Sequence, residues 1–274
     1  MDEMLSSAQH RPLVLVVGGG SGLGLRLSRT LLAHGYDVLV GVRSQEGADA
    51  IRIAGGIGMG QRRLSVSQID VASETSVERF FDLVPGARQL HGVVICAAIA
   101  PTPRPFWETS LAEWERVIAT NLMGTFLCLR AAAQRMMDAR FGRIVTLSGG
   151  GATSVRDAWS SYATSKAAVV RLTECVAHEL RNYDIKVNAV APGLMPTRMA
   201  DAASRAAASS RAFDAPVALI EKLLSEQLSI TGRLISAVHD DWPCDEFWAT
   251  SEPWYTLRRV DEHLLDELQK ECDQ

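Results

Sequence analysis

Four side chains in this sequence, Asn121, Ser148, Tyr162 and Lys166, have types and an order that could serve chemistry at a carbonyl or hydroxyl oxygen, two of them as a proton-transfer pair. Tyr162 and Lys166 lie four residues apart in Ser160-Ser161-Tyr162-Ala163-Thr164-Ser165-Lys166, a stretch of helical period. Residues so spaced share one helix face, which makes the phenol and the ammonium neighbours. A tyrosine with a pKa of about 10 is a poor donor at neutral pH, and a nearby ammonium stabilises its phenolate, each tenfold gain in ionisation being worth about 1.4 kcal/mol. The pair is poised for general acid–base work. Upstream, the run Arg143-Ile144-Val145-Thr146-Leu147 delivers Ser148 at its carboxyl end. Ligands of open α/β sheets gather there, so its hydroxyl can orient a substrate carbonyl. Asn121, in Ala119-Thr120-Asn121-Leu122-Met123-Gly124, is a weak helix former whose amide competes for the backbone. Each of the four has an ordinary structural explanation when taken alone; their joint order carries the functional reading.

A second set of residues has the chemistry of a phosphate cradle. Val17-Gly18-Gly19-Gly20-Ser21-Gly22-Leu23-Gly24 follows an apolar run and opens a helical stretch. A tight turn needs φ > 0, a pyrophosphate needs close backbone approach, and helix-on-sheet packing needs a small residue; Gly18, Gly22 and Gly24 fit those three roles. The amides of Gly20, Ser21, Gly22 and Leu23 would then meet phosphate at a helix N-terminus. After the second apolar run the chain reads Val40-Gly41-Val42-Arg43-Ser44, with no carboxylate for a ribose 2′-hydroxyl. Arg43 instead offers a fork of donors to a 2′-phosphate, which favours NADP(H) over NAD(H). Asp70 either accepts from an adenine amino group or caps the helix beginning near Ser73.

These residues need a rigid frame, and the hydrophobic pattern supplies one. Seven short Val- and Ile-rich runs, Leu13-Val17, Val38-Val40, Leu64-Ile69, Gly92-Cys96, Arg143-Leu147, Lys186-Val190 and Leu234-Val238, alternate with helical stretches at 22–34, 74–83, 110–138 and 158–182. That alternation predicts a single α/β domain of Rossmann type, a doubly wound seven-stranded parallel sheet flanked by helices. Residues 195–228 break the rhythm and read as a substrate lid with Met195, Met199, Phe213 and several arginines; 239–274 read as a packed C-terminal extension containing Trp242, Trp248, Trp254 and Tyr255, with an amphipathic stretch at 257–268.

Composition bounds the partners. Of 274 residues, 47% are hydrophobic and 22% charged, with a net charge of −4, so there is no basic excess for nucleic acid or an anionic membrane. No run reaches the roughly 18 apolar residues of a membrane span, and Leu13–Val17 is too short for a signal core. Five scattered cysteines without a Cys-x-x-Cys pair fit a reducing, cytoplasmic setting. His239-Asp240-Asp241 has no second histidine at ligand spacing, so no metal is expected.

The sequence resembles the short-chain dehydrogenase/reductase family over about residues 12–238. The likeness rests on Gly18-x-x-x-Gly22-x-Gly24, Asp70-Val71, Asn121, Ser148, Tyr162-x-x-x-Lys166, Pro192-Gly193 with Thr197, and Ile230-Thr231-Gly232. The resemblance implies Tyr162 as general acid/base, Lys166 as the residue that binds the nicotinamide ribose and lowers the tyrosine pKa, and Ser148 as the carbonyl holder. It implies Asn121 behind the lysine in a relay, Asp70, Val71 and Ala97 along the cofactor, and Pro192, Gly193 and Thr197 along the nicotinamide. The implied function is an NADP(H)-dependent ketone reductase or secondary-alcohol dehydrogenase acting on a small-molecule substrate. Two alternatives are a sugar-nucleotide epimerase or dehydratase, and a cofactor-binding sensor without turnover. The chain departs from the family's pattern at Cys96-Ala97-Ala98-Ile99, where Asn-Asn-Ala-Gly is usual, at Val17 and Ser21, and in its long tail. The family's habit of pairing the two long helices between subunits implies a homodimer or homotetramer, with Phe126, Leu129, Val169 and Leu172 on outer faces.

Overall fold

Alternate residues of the first strand, β1 (Leu13–Val17), point to opposite sides, and both sides are apolar because both are covered. Leu13, Leu15 and Val17 enter one core layer, and Val14 and Val16 the other. The computed structural model describes residues 11–54, 63–85, 90–197, 199 and 210–249. Within them β2 (Asp37–Val42), β3 (Leu64–Gln68), β4 (Leu90–Ile95), β5 (Phe141–Leu147), β6 (Asp184–Ala191) and β7 (Leu234–Ser236) complete a seven-stranded sheet. All of its ladders are parallel, in the order β3-β2-β1-β4-β5-β6-β7. This is the predicted doubly wound Rossmann-type sheet.

Helices cover both faces. α1 (Gly22–Ala33), α2 (Gln45–Ala54) and α7 (Asp214–Leu223) pack on one through Leu27, Leu31, Ile51, Leu219 and Ile220. α3 (Glu74–Phe81), α5 (Gly124–Ala139) and α6 (Ser160–Glu179) pack on the other through Phe80, Phe81, Leu129, Met136 and Ala177. Burying one such aromatic or aliphatic side chain contributes roughly 1.5–3 kcal/mol. Among the described residues, no helix is long and apolar enough to cross a membrane.

Three expectations need correction. The stretch 110–138 is not one helix: α4 (Leu111–Ile118) and α5 are separated by a wide π-helical turn over Ala119–Met123. α2 was not foreseen; Ser44 caps it, its hydroxyl accepting from the Gly47 amide at 3.3 Å. Leu129 and Val169 do not lie on outer faces, since both are fully buried. Leu172 is partly buried against the core, and only Phe126 of the four retains an exposed face.

The start of the lid stretch, Met195, and its later part, Phe213 to Leu228, pack against the second core layer; Arg198 and Arg205 lie outside the described residues. In the extension, Trp242, Phe247 and Trp248 pack on that layer and α8 (Asp245–Ala249) closes it, while Trp254, Tyr255 and 257–268 lie outside the described residues. Asp240 accepts from the Ser236 amide at 2.7 Å and so closes the turn after β7.

Candidate active site

The strand order reverses between β1 and β4, and a crevice opens beyond their carboxyl ends. The glycine loop fills one side of it. Gly18 has φ +89°, and a Cβ there would lie 2.6 Å from the Ala97 amide nitrogen, so the loop and the segment after β4 touch backbone to backbone. The Gly18 and Gly19 amides donate to the Gly41 carbonyl at 2.8 and 3.1 Å, tying the loop to β2. A Cβ on Gly24 would lie 2.5 Å from the Gly18 carbonyl oxygen, which is why the first turn of α1 can sit so near the strand end. Leu23 is buried beneath. Ser21 precedes the helix but makes no capping bond with its side chain, and the first turn holds no acidic residue. The helix therefore keeps its N-terminal amides and partial positive charge for an anion. Gly20 and Gly22 flank Ser21, and Thr197 lies 3.1 Å from where a Gly22 Cβ would be.

Arg43 leaves β2 exposed, with its carbonyl receiving Gln68 Nε2 at 3.1 Å and its guanidinium in no ion pair among the described residues. Asp70 is exposed, and its carboxylate accepts from the Ala72 amide at 3.0 Å. The α3 cap is Ser73, whose hydroxyl accepts from Ser76, so Asp70 does not cap that helix. Val71 is buried against Gly124 at the start of α5. Pro192 is buried after β6, and Gly193, at φ +81°, lies against Val238.

The four residues singled out in the sequence, Asn121, Ser148, Tyr162 and Lys166, lie on the other wall. The wide turn places Asn121, fully buried, against the segment after β4. Its Oδ1 accepts from the Ile99 amide at 2.8 Å, and its Nδ2 donates to the Ile99 carbonyl at 3.0 Å and to Ser165 Oγ at 3.1 Å. Ser165 in turn donates to the Tyr162 carbonyl at 2.7 Å. Asn121 thus braces the very stretch that lacks the family's asparagines, and links it to the helix bearing Tyr162. Ser165 has a part in this link that sequence reasoning did not give it; a serine among small residues between Tyr162 and Lys166 was the available signal.

Lys166 is 3% exposed, and its Nζ donates to the Leu147 carbonyl at 2.7 Å while lying 5.7 Å from the Tyr162 ring centroid. Burial pulls its pKa down to about 8, with the Cys96 thiol opposing. The Cys96 thiol is itself pushed up to about 12 by burial, against the pull of Lys166, and is therefore a neutral neighbour. Burial also raises Tyr162, the opposing charge being that of Arg156 rather than Lys166. The expected depression of the phenol by the lysine is thus not what this environment produces. The Tyr162 hydroxyl has no hydrogen-bond partner among the described residues, and Gly149 leaves the space beside it: a Cβ there would be 3.2 Å away. Ser148 is buried at the end of β5; its amide donates to Val190 at 2.9 Å and its hydroxyl reaches the Lys166 carbonyl only at 3.5 Å.

The wall therefore presents two donors with capacity to spare, a phenol and a buried ammonium with one acceptor among the described residues, and the glycine loop adds the amides of the first turn of α1. An anionic, hydroxyl-bearing dinucleotide fits that donor set.

Comparison with known proteins gives a consistent picture. Residues 12–208 match the family model described as short chain dehydrogenase. The chain is 35% identical over 198 residues to (3R)-3-hydroxyacyl-CoA dehydrogenase of Rattus norvegicus, covering 68% of this chain and 75% of that protein. Among solved structures, levodione reductase superposes with a TM-score of 0.74 at 26% identity, covering 82% of this chain and 95% of that one. ElxO with NADP bound superposes equally well, with a TM-score of 0.74 at 26% identity over 83% and 97% of the two chains.

Proposed function

The chain belongs to the short-chain dehydrogenase/reductase family and is an oxidoreductase of hydroxyl and carbonyl groups, and on that premise we propose an NADP(H)-dependent ketone reductase or secondary-alcohol dehydrogenase. The observation that carries this reading is the Lys166 ammonium, 3% exposed with one acceptor among the described residues, beside a Tyr162 hydroxyl that has no partner among them. A buried ammonium is costly unless further acceptors reach it, and a ribose diol supplies them.

A bound nicotinamide dinucleotide supplies the hydride. In this reading the amides of Gly20, Ser21, Gly22 and Leu23 hold the pyrophosphate, Gly18 and Gly24 give it room, and Asp70, Val71 and Ala97 line the adenosine half. Pro192, Gly193 and Thr197 border the nicotinamide. Lys166 donates to the ribose hydroxyls, Ser148 orients the carbonyl, and Asn121 holds the wall in place through Ile99 and Ser165. In reduction Tyr162 gives its proton to the substrate oxygen; in oxidation it takes one back. Preference for NADP(H) rests on Arg43, an arginine with no ion pair among the described residues where an NAD site would place a carboxylate, and is in keeping with the NADP of the ElxO neighbour.

We also read the chain as a homodimer or homotetramer. Phe106, Trp107, Leu111, Met123 and Phe126 all lie between the end of β4 and the first turn of α5, and all are exposed. Apolar side chains so concentrated mark an interaction surface.

The test is Tyr162→Phe. It keeps the ring and its packing on Trp159 but removes the proton, so NADPH oxidation by a panel of ketones falls at least about a hundredfold while NADPH still binds. The scale is that expected on losing a general acid, about 10²–10⁴-fold. Turnover retained in the variant would remove Tyr162 from this role.

A further inference from the structure

Arg156 stands on the turn between β5 and α6, and its surroundings differ from those of an ordinary surface arginine. Its guanidinium carbon lies 3.8 Å from the centroid of the Trp159 ring. Trp159 is buried, and its ring meets that of Tyr162 edge-on, with centroids 5.5 Å apart and planes at 88°. One indole therefore fixes a cation beside the phenol that the proposed reaction uses. The turn adopts a costly conformation in doing so: Ala158 has φ +62°, a region that disfavours a residue with a Cβ by about 1–2 kcal/mol. Its carbonyl accepts from the Arg104 amide at 3.2 Å, which anchors the turn to the segment after β4.

Charge pairing around the turn leaves Arg156 over. Arg104 is matched by Glu113 at 3.8 Å. Asp157, next in sequence, is exposed and forms no ion pair with Arg156 among the described residues. The guanidinium is stacked on one face and makes no hydrogen bond or ion pair among the described residues, so its edge of N–H donors is unspent by them. Stacking also removes much of the side chain's rotameric freedom before any ligand arrives, which lowers the cost of binding one.

We propose that Arg156 is a specificity residue that receives an oxyanion, carboxylate or phosphoryl, borne by the carbonyl substrate about one indole's breadth from the reacting carbon. The substrate class is then an oxo acid or its phosphorylated counterpart, with the hydroxy compound as product. The inference rests on the oxidoreductase reading above and narrows it.

The experiment follows NADPH oxidation by a graded series of oxocarboxylic acids, each acid's methyl ester, and the matching oxophosphonates, with the wild type, Arg156→Gln and Arg156→Lys. The Gln amide keeps a planar group over Trp159 without the charge, so folding and packing are held. The wild type prefers the anion to the ester by about tenfold in kcat/KM, the scale of one charge-assisted hydrogen bond at a partly exposed site. In Arg156→Gln the anion-to-ester ratio collapses towards one, chiefly through KM, and Arg156→Lys restores part of it. Whether acid or phosphonate shows the larger ratio identifies the oxyanion. A wild type without anion preference, or a ratio unchanged in Arg156→Gln, overturns the proposal while leaving the oxidoreductase reading intact. A wild type silent toward every ketone in the series overturns both.

Discussion

Lys166 and Tyr162 are both buried, and burial acts on them in opposite directions: the ammonium is brought down to about 8 and the phenol is raised. Below about pH 8 the lysine is therefore charged while the tyrosine is still a phenol, which is the protonation state that carbonyl reduction requires. Above that value the ammonium loses its proton first. We expect kcat/KM for NADPH-dependent reduction to hold through neutral pH and to decline above about pH 8; a profile flat until the phenol itself ionises would contradict the assignment to Lys166. Residue types and order were legible in the sequence: Tyr162 with Lys166 and the three glycines stand out by spacing, Ser148 by its place after an apolar run, and Asn121 through the family resemblance. The direction in which the phenol's pKa moves was not, because desolvation depends on how Trp159 and the neighbouring walls close over the ring. Nor was the closeness of Cys96 to Lys166, which brings the end of β4 against α6, elements distant in sequence.

The wide turn at Ala119–Met123 is the element that positions Asn121 in the proposed catalytic wall. Without it, α4 and α5 would run as one helix, the form that the apolar periodicity of 110–138 suggests, and Asn121 would project along a regular helix face. Periodicity cannot register one extra residue in a turn, whereas the asparagine with its competing amide was a visible sign of strain there. The same limit hid α2, whose short amphipathic run and Ser44 cap follow directly on a strand. Asn121→Ala removes three hydrogen bonds and leaves the Ile99 amide and carbonyl without them. Unsatisfied groups of this kind cost about 1–3 kcal/mol each when buried, so the expected loss of stability is about 2 kcal/mol, read from the urea midpoint. A midpoint unchanged within error would show that the brace is dispensable.

At the scale of the whole molecule, the parallel order with its reversal between β1 and β4 brings the glycine loop at 18–24 and the wall of Asn121, Ser148, Tyr162 and Lys166, about a hundred residues later, to the same end of the sheet. That architecture was legible in seven runs rich in Val, Leu and Ile, because strands covered on both faces, such as β1, are apolar on both sides. The exposed Phe106, Trp107, Leu111, Met123 and Phe126 lie away from that core. They lead us to expect sedimentation as a dimer or tetramer of the 29.8 kDa chain; a single species of monomer mass at all concentrations would refute it. The proposed function requires the crevice to be a nicotinamide dinucleotide site with a working acid beside it. The decisive measurement is titration of the purified protein with NADPH and with NADH, followed by nicotinamide fluorescence. We expect saturable binding of both, tighter for NADPH, with the difference lost in Arg43→Ala. Binding of neither would overturn the proposed function, and would mean that the segment Cys96-Ala97-Ala98-Ile99 closes the crevice to the cofactor.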